Sequence, residues 1–131
     1  MKQVLVVAVL LGVAARDSLA QGVDVHNRLG ESGSHFTLPL GTEIFAYETL
    51  IAGATAPFQV TLEVYHNGVL SFADKRDAPG STIPFAFVSI VPLGSLRLSA
   101  GDTVTFVLRV TDSATGETLA THCLFGDVAG P

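Results

Sequence analysis

The clearest pattern in this chain is an alternation of apolar and polar residues with a period of two. It runs through Phe58–Val64, Val104–Val110 and Leu119–Phe125. Because successive side chains of a β-strand point to opposite faces, such a period predicts half-buried strands. No stretch shows the 3.6-residue period of an amphipathic helix. The pattern therefore predicts an all-β protein.

Turn signals separate the alternating segments. Asn67-Gly68 lies between two strands, and this dipeptide tolerates the positive φ angles of a type I′ hairpin turn. Asp112–Glu117 is rich in Asp, Ser, Thr and Gly and predicts a second hairpin. Seven or eight short strands separated in this way are typical of a single antiparallel β-sandwich, which we place at residues 35–126. Leu96 and Leu98 predict one short strand before the last hairpin.

Two predicted strands, 43–51 and 83–91, carry apolar residues on both faces. A sandwich strand with one face in water should be polar on that face. The second apolar face is therefore either covered by loops or the leader, or is a site for a partner protein or for self-association. The candidate partner patch consists of Phe45, Tyr47, Ala86, Val88 and Ile90.

A series of features follows in a fixed order near the end of the chain: Leu98, the corner Gly101-Asp102, an alternating strand, the turn Asp112–Glu117 and the closing Phe125. This order resembles the end of bacterial immunoglobulin-like or fibronectin type III-like modules. The segment EVYHNGVLSF is similar to the hairpin that precedes it in such modules. The resemblance spans about residues 36–126 and implies an immunoglobulin-like sandwich, without indicating a function.

Two features of those modules are missing. The tyrosine that is usual at the corner is replaced by Val104 or Phe106, so the hydrogen bond of a tyrosine corner is not implied. The GWxTD motif, which accompanies some secreted modules of this kind, is absent as well.

The first 20 residues differ from the rest. Lys2 precedes the apolar run Val4–Ala15, which has the length of a signal-peptide core and is shorter than the roughly 20 residues that span a bilayer. Small residues in Ser18-Leu19-Ala20 predict cleavage before Gln21, and Val13-Ala14-Ala15 is a second possible site. The alternative is a buried N-terminal strand or helix.

These boundaries predict four segments: a signal peptide at 1–20, a flexible leader at 21–34 with room for one short edge strand at Val23–His26, the sandwich, and a C-terminal tail at 127–131. We expect a secreted or periplasmic protein with no membrane insertion after cleavage. Lys and Arg number 7 against 12 Asp and Glu, which gives a formal net charge of −5. An acidic chain without a clustered basic face is a poor ligand for nucleic acid, so we expect none as partner.

Candidate chemistry is sparse. His26, His35, His66 and His122 are not spaced as metal ligands, and no nucleophile, phosphate-loop or dinucleotide motif is present. We therefore expect no catalytic residue, no metal, no cofactor and no enzymatic activity. The single Cys123 excludes an intrachain disulfide. Its parity with Leu119 and Phe125 favours core packing for this thiol, and an intermolecular disulfide and a reactive role are the alternatives.

One cluster of charges stands in a predicted exposed loop at 73–82. It is either a solvated loop or a recognition loop, because binding residues concentrate on loops. The candidate recognition loop consists of Asp74, Lys75, Arg76 and Asp77.

Three functions fit these observations. The preferred one is a secreted, non-enzymatic protein-interaction module. The second is a self-assembling structural subunit whose strand edge or leader pairs with a neighbouring copy. The third is a hydrolase inhibitor or enzyme accessory module that acts through the 73–82 loop.

Overall fold

The structure, a computed structural model, describes residues 22–130. The predicted signal peptide and Gln21 lie outside the described residues. Eight strands and one short 3₁₀ helix, at Leu93–Leu96, follow one another in this part of the chain. The strands are β1 (Asp24–His26), β2 (Ser34–Pro39), β3 (Phe45–Ala52), β4 (Phe58–His66), β5 (Val69–Ala78), β6 (Phe85–Val91), β7 (Thr103–Asp112) and β8 (Thr118–Ala129).

The strands form two sheets, as the alternation predicts. The smaller sheet has the order β1-β3-β6, and the larger has the order β2-β8-β7-β4-β5. Every pair is antiparallel except β2 and β8, which are parallel. The prediction of an antiparallel sandwich is therefore wrong for this pair. An alternating pattern tells which face a side chain occupies and is silent on the direction of the neighbouring strand.

The core lies between the two sheets. The apolar positions of β4 and β7 that alternate in the sequence are fully buried there. Phe106 is at the centre of an aromatic cluster, with ring centroids 5.0 Å from Phe45 and 5.9 Å from both Phe36 and Tyr47. The placement of Phe106 in the core, expected from its position in mid-strand, is confirmed by its complete burial.

The Asn67-Gly68 turn is confirmed. Both residues have positive φ, 49° and 84°, and His66 pairs with Val69 across the two-residue loop. The segment around Leu96 and Leu98 differs from the prediction, because Leu93–Leu96 forms a 3₁₀ turn and residue 98 belongs to no strand. Arg97 follows this turn in the left-handed conformation, with φ 56°, and so breaks an extended path.

The strands also extend beyond the predicted sandwich at both ends. β1 agrees with the short edge strand expected at Val23–His26 within the leader, and it pairs with the end of β3. β8 continues through Ala129 beside β2, so most of the expected tail is strand. The tail is short, and pairing with a neighbouring strand supplies hydrogen bonds that the local sequence does not reveal.

Candidate functional site

The outer face of the three-stranded sheet presents a group of exposed aliphatic side chains. Ala86, Val88 and Ile90 point outward from β6, and Val88 and Ile90 are 43% and 56% exposed. Leu50, on the neighbouring β3, is 46% exposed and lies directly opposite Ala86. The predicted outward orientation of the β6 residues therefore matches the structure.

Phe45 and Tyr47, the other two residues of the candidate partner patch, point the other way. Tyr47 is completely buried, and the half-buried Phe45 packs against Phe106 in the core. The sequence does hold a signal for this arrangement. Glu48 shares a strand face with Ala46 and Leu50, and a carboxylate seldom faces a core, so its parity marks the solvent side of β3.

The corrected surface is therefore built from alternate residues of β3 and β6. Cross-strand neighbours on it are Ala46 with Ile90, Glu48 with Val88, and Leu50 with Ala86. We call its apolar members the outer patch. The outer patch consists of Ala46, Leu50, Ala86, Val88 and Ile90.

A polar rim borders the outer patch on the side of β1. A shallow groove there has Leu50, Ala86 and Val88 among its lining residues, together with His26 and Arg28. Arg28 and Glu48 approach to 3.9 Å, with both side chains largely in water. An ion pair so exposed contributes little to stability. The rim thus places the positive charge of Arg28 beside an apolar surface, and Glu48, between Ala46 and Leu50 on the central strand, places a carboxylate within that surface.

The outer face of the five-stranded sheet has a different character. Glu63 there accepts hydrogen bonds from Arg109 at 2.7 Å and from Tyr65 at 2.9 Å, and both hold the pKa of the Glu63 carboxyl below its usual value. Threonines occupy several of the other outward positions on β4 and β7. This face also carries Leu70, 51% exposed opposite Tyr65, and the partly buried Val107 and Phe125. Its apolar residues are therefore interspersed with polar groups, whereas those of the outer patch adjoin one another on β3 and β6.

The candidate recognition loop is not a loop. Asp74, Lys75, Arg76 and Asp77 all lie within β5, where they pair with residues 59–62 of β4. The turn signals that predicted a loop, Pro79 and Gly80, come only after the strand has ended. Consecutive charges are common on edge strands, because they discourage pairing with other molecules.

The four charged residues face two ways. Asp77 and Lys75 stand opposite Gln59 and Thr61, on the outer face. Asp74 and Arg76 stand opposite Leu62 and Val60, so they point toward the other sheet at the open side of the sandwich.

These two inward residues join the sheets. Asp74 accepts a hydrogen bond from the Ser89 hydroxyl at 2.7 Å, and Arg76 donates to the Val88 carbonyl at 3.1 Å. The Arg76 guanidinium also lies 5.0 Å from the centre of the Phe87 ring. Asp74 and Arg76 therefore link β5 of one sheet to β6 of the other.

Cys123 is on the opposite face from the one expected. The expected core position follows from its parity with Leu119, but the register of β8 shifts beside Leu119, and the parity reverses after it. His122 and Leu124 consequently point into the core, and Cys123 is only partly buried on the outer face. Burial raises the pKa of the Cys123 thiol, which disfavours a reactive thiolate.

His122 is a buried polar residue that the sequence did not distinguish. It is 4% exposed, its Nδ1 has no partner among the described residues, and burial lowers its pKa. The loop before β2 covers this region of β8: the Gly33 amide donates to the Cys123 carbonyl at 2.7 Å, and the Ser32 hydroxyl accepts from the Cys123 amide.

A second histidine fastens a turn. His66 Nε2 lies 2.8 Å from Asp102 Oδ2, and Asn67 donates to the other carboxylate oxygen. The hydrogen bond from the Ser99 amide, followed by those with His66 and Asn67, lowers the pKa of Asp102 to about 2. The group ties the hairpin at Asn67 to the start of β7 and is saturated by its own hydrogen bonds. Within residues 22–130, no three His, Cys, Asp or Glu side chains are grouped as metal ligands.

Comparison with known proteins adds little to this geometry. No protein-family model matches the chain, and no curated protein sequence matches it. Among solved structures, the chain is similar to the N-terminal domain of PorA, with 14% sequence identity over 81% of this chain and 96% of that one and a TM-score of 0.43. A likeness at this level assigns neither a fold family nor a function. No helix within residues 22–130 has the length and apolar character needed to cross a membrane.

Proposed function

We propose that this protein is a non-enzymatic, exported module that binds a protein partner through the outer patch. The observation that carries the proposal is the contrast between the two outer faces. One face presents Leu50, Val88 and Ile90 to water at roughly half exposure. On the other face, polar and charged groups such as Glu63 with Arg109 are interspersed with the apolar residues, among them Leu70 at 51% exposure.

The physical reason is the free energy of apolar surface in water. Burying such surface yields roughly 25 cal/mol per Å², so an exposed group of aliphatic side chains on a rigid sheet favours contact with another surface. A sheet is also a pre-formed platform, which lowers the entropy lost on binding.

The rim around the patch supports a protein as the partner. Interfaces between proteins combine an apolar centre with a polar, water-accessible rim. Here the centre is the outer patch with Glu48 between its residues, and the rim contains His26 and Arg28. The opposite charges of Arg28 and Glu48 suit the mixed charge of a protein surface better than the uniform charge of a nucleic acid.

Export rests on the sequence of residues 1–20, with its lysine, apolar run and small residues before position 21. The absence of catalytic motifs motivates the non-enzymatic part of the proposal.

The test compares three forms of the full-length protein: wild type, Val88→Lys and Thr37→Lys. Thr37 is exposed on β2 in the other sheet, so the control adds the same charge away from the outer patch. A partner captured from the host's extracellular or periplasmic fraction is purified, and its affinity for each form is measured. We expect Val88→Lys to weaken binding at least about tenfold and Thr37→Lys to leave it within about twofold. Equal affinities for wild type and Val88→Lys contradict the proposal.

A further inference from the structure

Two open sheets have four edges, and three of them carry features that discourage pairing with another strand. β1 has only three residues, β2 ends at a proline, and β5 carries four consecutive charged residues. Short length, proline and charge are the usual protections of an exposed edge. β6 has none of them, because Phe85–Val91 is seven residues long and contains neither a charge nor a proline.

The backbone groups at the open edge of β6 can be identified. β6 pairs with β3 on one side, and within residues 22–130 no strand pairs with its other side. The Val88 carbonyl accepts its hydrogen bond from Arg76, which comes from the other sheet, so this carbonyl points to the open edge. Since the groups of alternate residues point to the same side of a strand, the backbones of Ala86, Val88 and Ile90 all face that edge.

Arg76 is the group that covers this edge. Its guanidinium lies 3.1 Å from the Val88 carbonyl, over the Phe87 ring, and 3.4 Å from Asp74. Asp74 is fixed in turn by the buried Ser89, whose hydroxyl donates to it. An incoming strand must form its hydrogen bond at the same Val88 carbonyl that Arg76 occupies.

We propose that β6 is a strand-pairing edge guarded by Arg76, and that its occupant is β6 of a second copy of this chain. When the guanidinium leaves the Val88 carbonyl, two copies pair antiparallel through this strand about a two-fold axis. Each copy then offers the same surface to the other, as closed symmetric dimers require.

The composition of the strand favours a second copy. With no charged residue between Phe85 and Val91, an antiparallel self-pairing places no like charges opposite each other. Pairing also brings the two outer patches edge to edge, because Ala86, Val88 and Ile90 belong to both the patch and the edge. In the wild type, by contrast, two Arg76 side chains would meet at the junction, and their repulsion keeps the chains apart. The edge shares Ala86, Val88 and Ile90 with the outer patch but uses other groups, since strand pairing takes place through their backbones and partner binding through their side chains.

The test is sedimentation velocity of the full-length protein as wild type, Arg76→Met and Lys75→Met. Methionine keeps an apolar stem beside Phe87 and removes the donor to Val88. Lys75→Met removes the same charge from the adjacent residue, whose side chain is exposed on the outer face. We expect wild type and Lys75→Met to sediment as monomers and Arg76→Met to dimerise with at least about a tenfold lower dissociation constant.

Hydrogen exchange identifies the interface. In the Arg76→Met dimer, the amides of Ala86, Val88 and Ile90 should exchange at least about tenfold more slowly than in the wild-type monomer. A monomeric Arg76→Met protein, a dimer in which these amides stay unprotected, or equal dimerisation of Lys75→Met would overturn the proposal.

A second variant covers the case in which Arg76→Met does not fold. Arg76→Gln keeps a polar side chain beside Asp74, removes the positive charge and shortens the group that reaches the Val88 carbonyl. It should dimerise through the same protected amides, at higher concentration than Arg76→Met. A folded Arg76→Gln protein that remains monomeric at every concentration would contradict the guarding role.

Discussion

Truncating Phe106 to alanine perturbs the centre of the sandwich. The side chain is completely buried, its ring lies 5.0–5.9 Å from three other aromatic rings, and its cross-strand neighbours are Val64 and Leu124, which are also completely buried. Replacing a buried phenylalanine with alanine typically lowers the free energy of unfolding by about 3–5 kcal/mol. Because each aromatic pair adds about 0.5–1.5 kcal/mol beyond buried area, we place Phe106→Ala at the upper end of that range.

This cost is a large part of the stability of an ordinary domain, which is about 5–15 kcal/mol. The assay is urea unfolding of the full-length protein followed by circular dichroism, with Val107→Ala as the control. Val107 is the next residue on β7, on the outer face and only partly buried, so its truncation should cost less than about 1.5 kcal/mol. If Phe106→Ala loses less than about 1 kcal/mol, or no more than Val107→Ala, the assigned faces of β7 are refuted.

Three further predictions follow from individual side chains. Burial lowers the pKa of His122, so the unfolded chain binds a proton there more readily than the folded chain. The free energy of unfolding of the wild type should therefore fall as the pH drops below about 6.5, and it should fall less in His122→Gln. An equal pH dependence of the unfolding free energy in both proteins contradicts this. The pKa of Asp102 is lowered from 3.8 to about 2, so its contribution to the free energy of unfolding is complete above pH 3.8 and is lost as the pH falls toward 2. In Asp102→Asn the free energy of unfolding, measured by circular dichroism, should depend less on pH in that window. Val88→Lys should fold with a free energy of unfolding within about 0.5 kcal/mol of wild type, because Val88 faces water, and a loss above about 2 kcal/mol in urea unfolding would place it in the core.

The pattern of the sequence was sufficient for the local features of this fold. The alternation in β4 and β7 located two central strands and their buried faces, and Asn67-Gly68 located a hairpin. These features depend on neighbours in the sequence, which a periodic pattern records directly. The immunoglobulin-like character implied by the resemblance remains a prediction, because the architecture shown is two packed β-sheets with a parallel pair at one edge.

The features that were missed depend on long-range contacts. The side chain of Cys123 faces outward because the register shifts beside Leu119, and no local signal marks that shift. The charges at Asp74–Asp77 form a strand because β4 lies beside them. Of these, Asp74 and Arg76 point inward and contact β6, which is distant in the sequence but close in the structure.

The candidate partner patch combines residues of two faces for a related reason. Alternation gives two faces for each strand and leaves open which of them is buried, so it does not separate Phe45 and Tyr47 from the face of Val88. The structure places Tyr47 opposite Ser89 on the inner face, and Glu48 opposite Val88 on the outer face. A charged residue on one of the two faces, such as Glu48, indicates which face is exposed to solvent.

Side-chain footprinting with hydroxyl radicals tests the central claim most directly. The full-length protein is labelled alone and in complex with its purified partner, and the modification of individual residues is compared. We predict that Leu50, Val88 and Ile90 become protected in the complex, while Tyr65 and His35, on the outer face of the five-stranded sheet, are modified to the same extent in both states. Protection of Tyr65 and His35 with an unchanged outer patch would contradict the account.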